Sequence, residues 1–400
     1  MSVDSPPAIA GGTPVRTRPL AYGRHHIEES DITAVVAALR SGALTGGAGI
    51  ADFERALEER CRVKNAVLVA NGSVALDAAV AALGVGRGDE VVTTPLTFVA
   101  TANAVLRAGA TPVFADVGAD RCLDPASAAQ AVTARTKAVI TVDYSGSPAD
   151  VPALKAALPR PLPIVADSAH SLGASLRGRP VGSLADVTTL SFHPVKHITT
   201  GEGGACLTDD DDLAARMRSV RNHGMTSTAE ERSGSRWKYD VTMLGDNYRI
   251  TTMQAALGIS QLSRLEDTVA ARSEIADRYD ALLGEMPGVG LPPRMPDRRS
   301  SWHLYAIEID EEAFGCPRDQ VIDALRAEGI EATLHYPAVH LLSLYRSLGG
   351  IPGTAPRAER LCGRLVTLPL YPDMSISDQD DVVIALTRIQ KWAAAGALTR

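Results

Sequence analysis

The chain has 400 residues, 45% of them hydrophobic, with a formal net charge of -7 and a pI near 5.8. That length exceeds one ordinary domain and allows a sizeable core, while the acidic balance and the lack of any Lys/Arg block leave no electrostatic footprint for nucleic acid. The five cysteines, Cys61, Cys122, Cys206, Cys316 and Cys362, are scattered without a C-x-x-C pair, which argues against zinc or a disulfide framework and for reduced thiols in a cytoplasm.

The segment 1–20 is rich in Pro, Gly and Ser, carries Arg16 and Arg18, and has no continuous apolar run, so it reads as neither signal peptide nor anchor. No stretch reaches the roughly 18 apolar residues that a membrane span needs, and a soluble protein is expected. From residue 66 to 208 short apolar runs recur between helical patterns. They predict strands at 66–70, 90–94, 111–114, 138–142, 163–166, 187–192 and 204–207. Strands separated by helices imply crossover connections, hence an α/β region with a mainly parallel sheet covered on both faces.

A helix is predicted to start at Ser73, with Val74, Leu76, Ala79, Val80 and Leu83 near helical spacing and Gly84 and Gly86 ending it. Its first N–H groups, at Gly72 and Ser73, then face out of the sheet end, where an anion is favoured; a plain Ser N-cap fits the same residues. A second helix is expected over 209–221, a polar aperiodic loop over 226–238, and one long helix, bent or straight, over 252–283. A break at 286–299, with four prolines and two glycines, precedes a strand at 303–309, a helix at 320–328 and a strand at 330–336. The expected organisation is an N-terminal arm (1–26), a large α/β domain (27–250), a linking helix (251–284) and a small α+β domain (285–400).

The chemistry centres on Ser191-Phe192-His193-Pro194-Val195-Lys196, followed by Thr199-Thr200-Gly201-Glu202-Gly203-Gly204. An apolar run ends there in a hydroxyl and a lysine beside a glycine turn, which makes Lys196 either one more solvated cation or a Schiff-base former. A pyridine aldehyde phosphate on Lys196 would make three demands. Its ring nitrogen needs a carboxylate, and Asp167 in Ala166-Asp167-Ser168-Ala169-His170 stands at a strand end. Its phosphate needs a helix start and hydroxyls, which Gly72, Ser73 and Ser191 can supply, with an amide from Asn247. Its ring needs a flat cover, for which Phe98 and His170 lie at strand ends, where ligands of open α/β sheets bind. Taken singly, Asp167 also fits a solvated strand-end or cap carboxylate, Phe98 a core residue, and His170 a cap or core histidine. The histidines show no metal-ligand spacing, and no metal is expected.

Five segments, Asn71-Gly72-Ser73-Val74-Ala75-Leu76, Thr97-Phe98-Val99-Ala100-Thr101-Ala102-Asn103, Ala166-Asp167-Ser168-Ala169-His170, Ser191-Phe192-His193-Pro194-Val195-Lys196 and Gly245-Asp246-Asn247-Tyr248-Arg249, resemble in order the motifs of one family. It is the DegT/DnrJ/EryC1/StrS family of nucleotide-sugar aminotransferases dependent on pyridoxal 5'-phosphate (PLP), and the likeness runs roughly from residue 22 to 371. The resemblance implies the PLP-dependent transferase fold type I (aspartate aminotransferase-like). It makes Lys196 the Schiff-base lysine, Asp167 the pyridinium partner, Phe98 and His170 the ring cover, and Gly72, Ser73 and Ser191 the phosphate cup. Asn247 would reach the phosphate of the neighbouring subunit, which implies a homodimer with shared active sites. Tyr22, the loop Gly42, Ala43, Leu44 and Thr45, and the run Leu334, His335, Tyr336 and Pro337 would touch substrate. Without the resemblance these last are a tyrosine, a flexible loop and a strand end.

Within the family, Tyr22-Gly23-Arg24, Val142-Asp143-Tyr144-Ser145-Gly146, the run 191–204 and Leu334-His335-Tyr336 resemble transaminases of the pseudaminic-acid pathway. That implies L-glutamate as donor, 2-oxoglutarate as product, and C4 of a UDP-4-keto-6-deoxy-N-acetylhexosamine as acceptor. His197, where proline is common, and the glycine-rich Gly46-Gly47-Ala48-Gly49 depart from that pattern and bear on the sugar, not the cofactor. The alternatives are an aminotransferase for a dTDP-linked 3-keto- or 4-keto-6-deoxysugar, a sugar dehydratase, and a non-catalytic regulator of the same fold. A histidine takes the lysine position in the dehydratases, so Lys196 argues against that reading, and a binding module needs no such lysine.

Overall fold

In the computed structural model residues 3–227 and 238–396 are described, so the loop expected over 226–238 lies largely outside the described residues. Each of the seven apolar runs becomes a strand of one sheet. These are β1 Asn65–Val69, β2 Glu90–Thr93, β3 Thr111–Phe114, β4 Thr136–Val142 and β5 Ile164–Asp167, then, after the short β6 Ser175–Leu176 and β7 Arg179–Pro180, β8 Val187–Ser191 and β9 Gly204–Thr208. The seven-stranded order is β1-β9-β8-β5-β4-β2-β3. Only β9 runs antiparallel to its neighbours; the other pairs are parallel.

Strands this apolar need cover on both faces, and three clusters supply it, one of them setting Val92, Val139 and Ile164 against Ala128, Val151 and Leu154. On one face the small side of α3 (Gly72–Ala82), with Ala75, Ala78, Ala79 and Ala82, packs with Val67, Val91, Ile140 and Cys206. On the other, Phe53, Leu57 and Cys61 of α2 (Ala48–Cys61) meet Leu68, Leu190, Phe192 and Leu207. The start of α3 differs by a residue or two from the expected Ser73. Asn71 is the N-cap, its side chain accepting the Val74 N–H at 3.0 Å, and the helix begins at Gly72. An Asx side chain two residues earlier thus takes the capping role from the serine.

The long helix expected over 252–283 is two helices, Thr252–Leu262 and Leu265–Leu283. At the break the Ser263 hydroxyl returns to the Ser260 carbonyl at 2.7 Å and the Arg264 guanidinium reaches Asp31 at 2.8 Å, so local side-chain bonding competes with helix continuation. Beyond it, β12 (Tyr305–Ile309) is flanked by β10 (Val289–Gly290) and β13 (Leu365–Leu368) in a second, antiparallel sheet. The expected strand at 330–336 does not form. Its backbone bonds are divided instead between Leu20 of the N-terminal arm and Thr367, leaving isolated bridges at Ile330 and Thr333.

Candidate active site

Asp167 is the last residue of β5 and Ser191 the last of β8, while Asn71 and Gly72 follow β1 directly. The ends of β1 and β8 both lie against Gly204 of β9, Val69 from one side and Ser191 from the other. That register brings the start of α3 against the end of β8: a Cβ on Gly72 would sit 2.8 Å from the Ser191 Cβ and 3.1 Å from its Oγ. Phe98, after β2, is the N-cap of α4 (Val99–Arg107). These groups therefore gather at the carboxyl ends of the parallel strands, where open α/β sheets bind ligands.

Lys196 follows β8 in a tight turn, its N–H donating to the His193 carbonyl at 2.9 Å, and the return to β9 passes through Gly201 at φ +79°. A left-handed residue is needed there, and glycine meets that need without strain. The Lys196 Nζ lies 3.2 Å from Nε2 of His303. Burial lowers its pKa to about 8, against the opposing pull of Asp167 and with a further push from Arg272.

Asp167 is buried. Its Oδ2 accepts the Thr101 hydroxyl at 2.7 Å and its Oδ1 the Ala169 N–H at 3.3 Å, and Thr97 lies 2.6 Å from Thr101 behind it. Burial raises its pKa while those bonds and Lys196 act the other way. Such a carboxylate has a remaining capacity for a cationic partner.

His170 is held from behind and in front. Asp143, one strand over, accepts the hydroxyls of Ser168 and Ser171, each at 2.6 Å, and so fixes the turn that carries His170. The Ser301 hydroxyl donates to the His170 carbonyl at 3.1 Å. In front, Nε2 of His170 meets the Tyr336 hydroxyl at 3.1 Å and its ring lies 4.3 Å from that of His303. Burial, with Lys196 nearby, holds both His170 and His303 well below the usual imidazole range, so both rings are neutral at physiological pH. Half-exposed Phe98 faces Tyr336 at 5.8 Å, and Tyr22 faces His335 at 5.3 Å. The Tyr144 hydroxyl donates to the His335 carbonyl, and Nδ1 of His335 pairs with Thr367 at 3.0 Å.

The structure thus brings Lys196, Asp167, His170, Gly72, Ser191, Phe98, Tyr22, His335 and Tyr336 to one end of the sheet, with Ser73 in the first turn of α3 and Leu334 packed beside the C-terminal core. Pro337 is exposed. Gly42, Ala43, Leu44 and Thr45 form an exposed loop, tied down where the Ala43 carbonyl accepts the Thr252 hydroxyl at 2.6 Å and the Leu44 carbonyl the Thr252 N–H at 3.1 Å. Asn247 is exposed and its side chain accepts the Arg249 N–H at 3.4 Å. Among the described residues no hydrogen bond links that loop or Asn247 to the Lys196 group. Sequence reasoning missed His303, Arg272, Thr101 and the bracing role of Asp143. His303 was read as the start of a strand, and nothing in its neighbours signals a partner for a lysine more than a hundred positions away. Among the described residues no His, Cys, Asp and Glu cluster is arranged to hold a metal, and no helix is long and apolar enough to cross a membrane.

Residues 25–387 match the model of the DegT/DnrJ/EryC1/StrS aminotransferase family. The chain is 39% identical over 380 residues to the spore coat polysaccharide biosynthesis protein SpsC of Bacillus subtilis (strain 168), covering 94% of this chain and 98% of SpsC. Among solved structures it is similar to Helicobacter pylori PseC, an aminotransferase involved in the biosynthesis of pseudaminic acid, with a TM-score of 0.86, 30% identity, and coverage of 94% of this chain and 100% of PseC. It is also similar to DesI, solved in the presence of its TDP-sugar product, with a TM-score of 0.87, 31% identity, and coverage of 98% and 97%.

Proposed function

The chain belongs to the DegT/DnrJ/EryC1/StrS aminotransferase family, a PLP-dependent family of fold type I, and we propose that it moves an amino group from L-glutamate to C4 of a UDP-4-keto-6-deoxy-N-acetylhexosamine, releasing 2-oxoglutarate. The observation that carries the chemistry is the placement of a lysine with a lowered pKa and a buried carboxylate at the same end of the sheet. The likeness to PseC over nearly the whole chain supports the acceptor.

The residues fit the cofactor. The missing Cβ at Gly72 opens the space beside Ser191 and the first N–H groups of α3, a cup for a phosphate. His170 has a buried Nδ1 without a partner, and Asp167 has acceptor capacity to spare. When bound, PLP supplies an aldehyde for an amine to condense with and a protonated ring that withdraws electrons from the carbon beside that amine.

This chain's own residues do the rest. Lys196 would hold the aldehyde and, once displaced, would take the proton from the donor carbon and deliver it from Nζ to the carbon that had been the aldehyde's. A pKa near 8 keeps part of its amine unprotonated near neutral pH, as a general base requires. Asp167 would keep the ring nitrogen charged, held in place by Thr101. Phe98 and neutral His170 would flank the ring, and the Tyr22, His335 and Tyr336 rings would line the approach of the sugar, with Leu334, Pro337 and the 42–45 loop beside them. Asn247, exposed in one subunit, would complete the phosphate cup of a second, so the working unit is a homodimer. We place the enzyme in the cytoplasm, in keeping with its scattered buried thiols.

The equally extensive likeness to DesI supports a second reading, a dTDP-linked 4-keto- or 3-keto-6-deoxysugar as acceptor. The test is to incubate the PLP-loaded protein with glutamate and a panel of UDP- and dTDP-linked 3-keto and 4-keto sugars, reading products by mass and NMR. Amino transfer to the UDP-4-keto-N-acetylhexosamine above all others is the expected result. Preference for a dTDP sugar selects the second reading, and no transfer to any of them overturns both.

A further inference from the structure

Tyr22 lies in the N-terminal arm, before the first helix, yet its ring stands beside His335 at the mouth of the site. Further back, the arm is clamped. Glu328, the C-cap of helix Arg318–Ala327, is wholly buried, and its carboxylate accepts the N–H of Ala8 at 2.9 Å and of Val15 at 2.7 Å. Buried Arg388 lies 3.5 Å from the same carboxylate and donates to the Thr13 carbonyl at 3.2 Å.

From the clamp the arm is laced toward the site. Its backbone bonds run from Arg16 to the Glu328 carbonyl (3.0 Å), from Leu20 to the Gly329 carbonyl (2.9 Å), from Glu331 back to the Leu20 carbonyl (2.9 Å), and from Leu370 to the Tyr22 carbonyl (3.0 Å). Gly329, at φ +80°, permits this approach, because a Cβ there would lie 2.5 Å from the Arg16 carbonyl. Val15 and Leu20 also bury their side chains in the C-terminal core.

Apolar burial alone would tolerate a slip of the arm along its groove. A buried ion pair does not, since a slip of one residue takes the Ala8 and Val15 N–H groups from Glu328 and the Thr13 carbonyl from Arg388, and hydrogen bonds to a buried charged group are costly to lose. Fixing register is the best-attested use of a buried charged group. Here the register decides where Tyr22 stands relative to His335.

We propose that Glu328 is a positioning residue for the nucleotide-sugar substrate, acting through the arm on Tyr22. The proposal rests on the reading of Tyr22 as a substrate contact.

The test uses the holoenzyme and four variants: Glu328→Gln, Tyr22→Ala, the double variant, and Arg16→Ala. The last cuts the ion pairs of the arm to Asp378 and Asp381 and spares the buried clamp. Three readouts are needed: KM for the keto-sugar nucleotide, the dissociation constant of the amino-sugar product by calorimetry, and the rate of the absorbance change with glutamate alone. Glu328→Gln is expected to weaken both sugar readouts roughly tenfold while the glutamate rate holds within about twofold, and to add less than about twofold in the Tyr22→Ala background. Arg16→Ala is expected to shift the sugar readouts in the same direction by less, and it carries the comparison if Glu328→Gln does not fold. An unchanged KM in Tyr22→Ala removes Tyr22 from the substrate site and the proposal with it. A Tyr22 effect that neither Glu328→Gln nor Arg16→Ala reproduces, or an effect of Glu328→Gln that adds in full to that of Tyr22→Ala, overturns the clamp alone.

Discussion

The amine of Lys196 lies 3.2 Å from Nε2 of His303, and burial lowers the pKa of both groups, the lysine's to about 8 and the imidazole's well below its usual range. A neutral imidazole beside a lysine with a pKa near 8 accepts a hydrogen bond without adding a full positive charge. Asp167 is the group that holds the amine's pKa up, against burial and Arg272. Acylation of Lys196 in the cofactor-free protein, followed by mass spectrometry against pH, should therefore show a midpoint near 8. Asp167→Asn should move that midpoint lower, because the removed charge favoured the ammonium. A midpoint at the ordinary lysine value in the native protein would contradict the described environment.

Asp167→Asn should also retain bound PLP while turnover falls steeply. Removing one electrostatic partner that acts on charge developing in the reaction costs about 10²–10³-fold in rate. Cofactor content by absorbance and turnover with glutamate separate the two effects. Near-normal turnover would take Asp167 out of its role.

The large sheet was legible because its strands are short apolar runs buried on both faces, a pattern that survives without knowledge of what covers them. Lys196, Asp167 and Ser191 were legible for a related reason: each stands where such a run ends. The strand expected at 330–336 failed because its backbone bonds are shared between the arm and β13, both distant in sequence, which apolar alternation does not show. His303 and Asp143 were illegible as site residues since their meaning lies in partners, Lys196 and the Ser168–Ser171 turn, that only the fold brings near. Asn71 displaced Ser73 as helix cap because both residue types cap well and sequence alone does not rank two such close choices.

Asp143 should leave a signature in stability against pH. Burial lifts its pKa to about 6 from an ordinary 3.8, despite bonds from Ala149, Ser168 and Ser171. Between those values the folded state binds the proton and the unfolded state does not. Its contribution is therefore most favourable below about pH 4 and is lost as pH rises through 6. The full swing is on the order of 3 kcal/mol. Asp143→Asn has no such proton, so the stability difference between native protein and variant, measured by denaturant titration, should shift in favour of the variant from pH 4 to 7. A difference that is flat with pH would show that Asp143 is not held as described.

Gly72→Ala should weaken PLP binding with little change in fold. The new methyl would meet the Ser191 Cβ at 2.8 Å, a backbone-attached carbon that has no rotamer escape, so Ser191 and the first turn of α3 must part. The proposed phosphate cup would open as they do. Fluorescence titration of the cofactor-free variant should show a raised dissociation constant, and thermal unfolding without cofactor should fall modestly, since such overpacking costs about 1–3 kcal/mol. An unchanged dissociation constant would place the phosphate elsewhere.

Asn247 and Lys196 should complement each other across subunits. Asn247 is exposed and bonded within its own segment, with no hydrogen bond to the Lys196 group among the described residues, which suits a residue that serves a neighbour. Lys196→Ala homodimers lack the reacting amine in both sites, and Asn247→Ala homodimers lack a phosphate donor in both. Unfolding and refolding the two together forms mixed dimers. In these, one site takes its Lys196 from the Asn247→Ala chain and its Asn247 from the Lys196→Ala chain, and so is intact, while the other carries both lesions. About half of a random mixture is mixed dimer with one good site of two, so activity should recover to about a quarter of native, well above either parent. If each site were built from a single chain, no mixed dimer would hold an intact one. Activity would then stay at the mean of the two parents, and the shared-site dimer would be wrong.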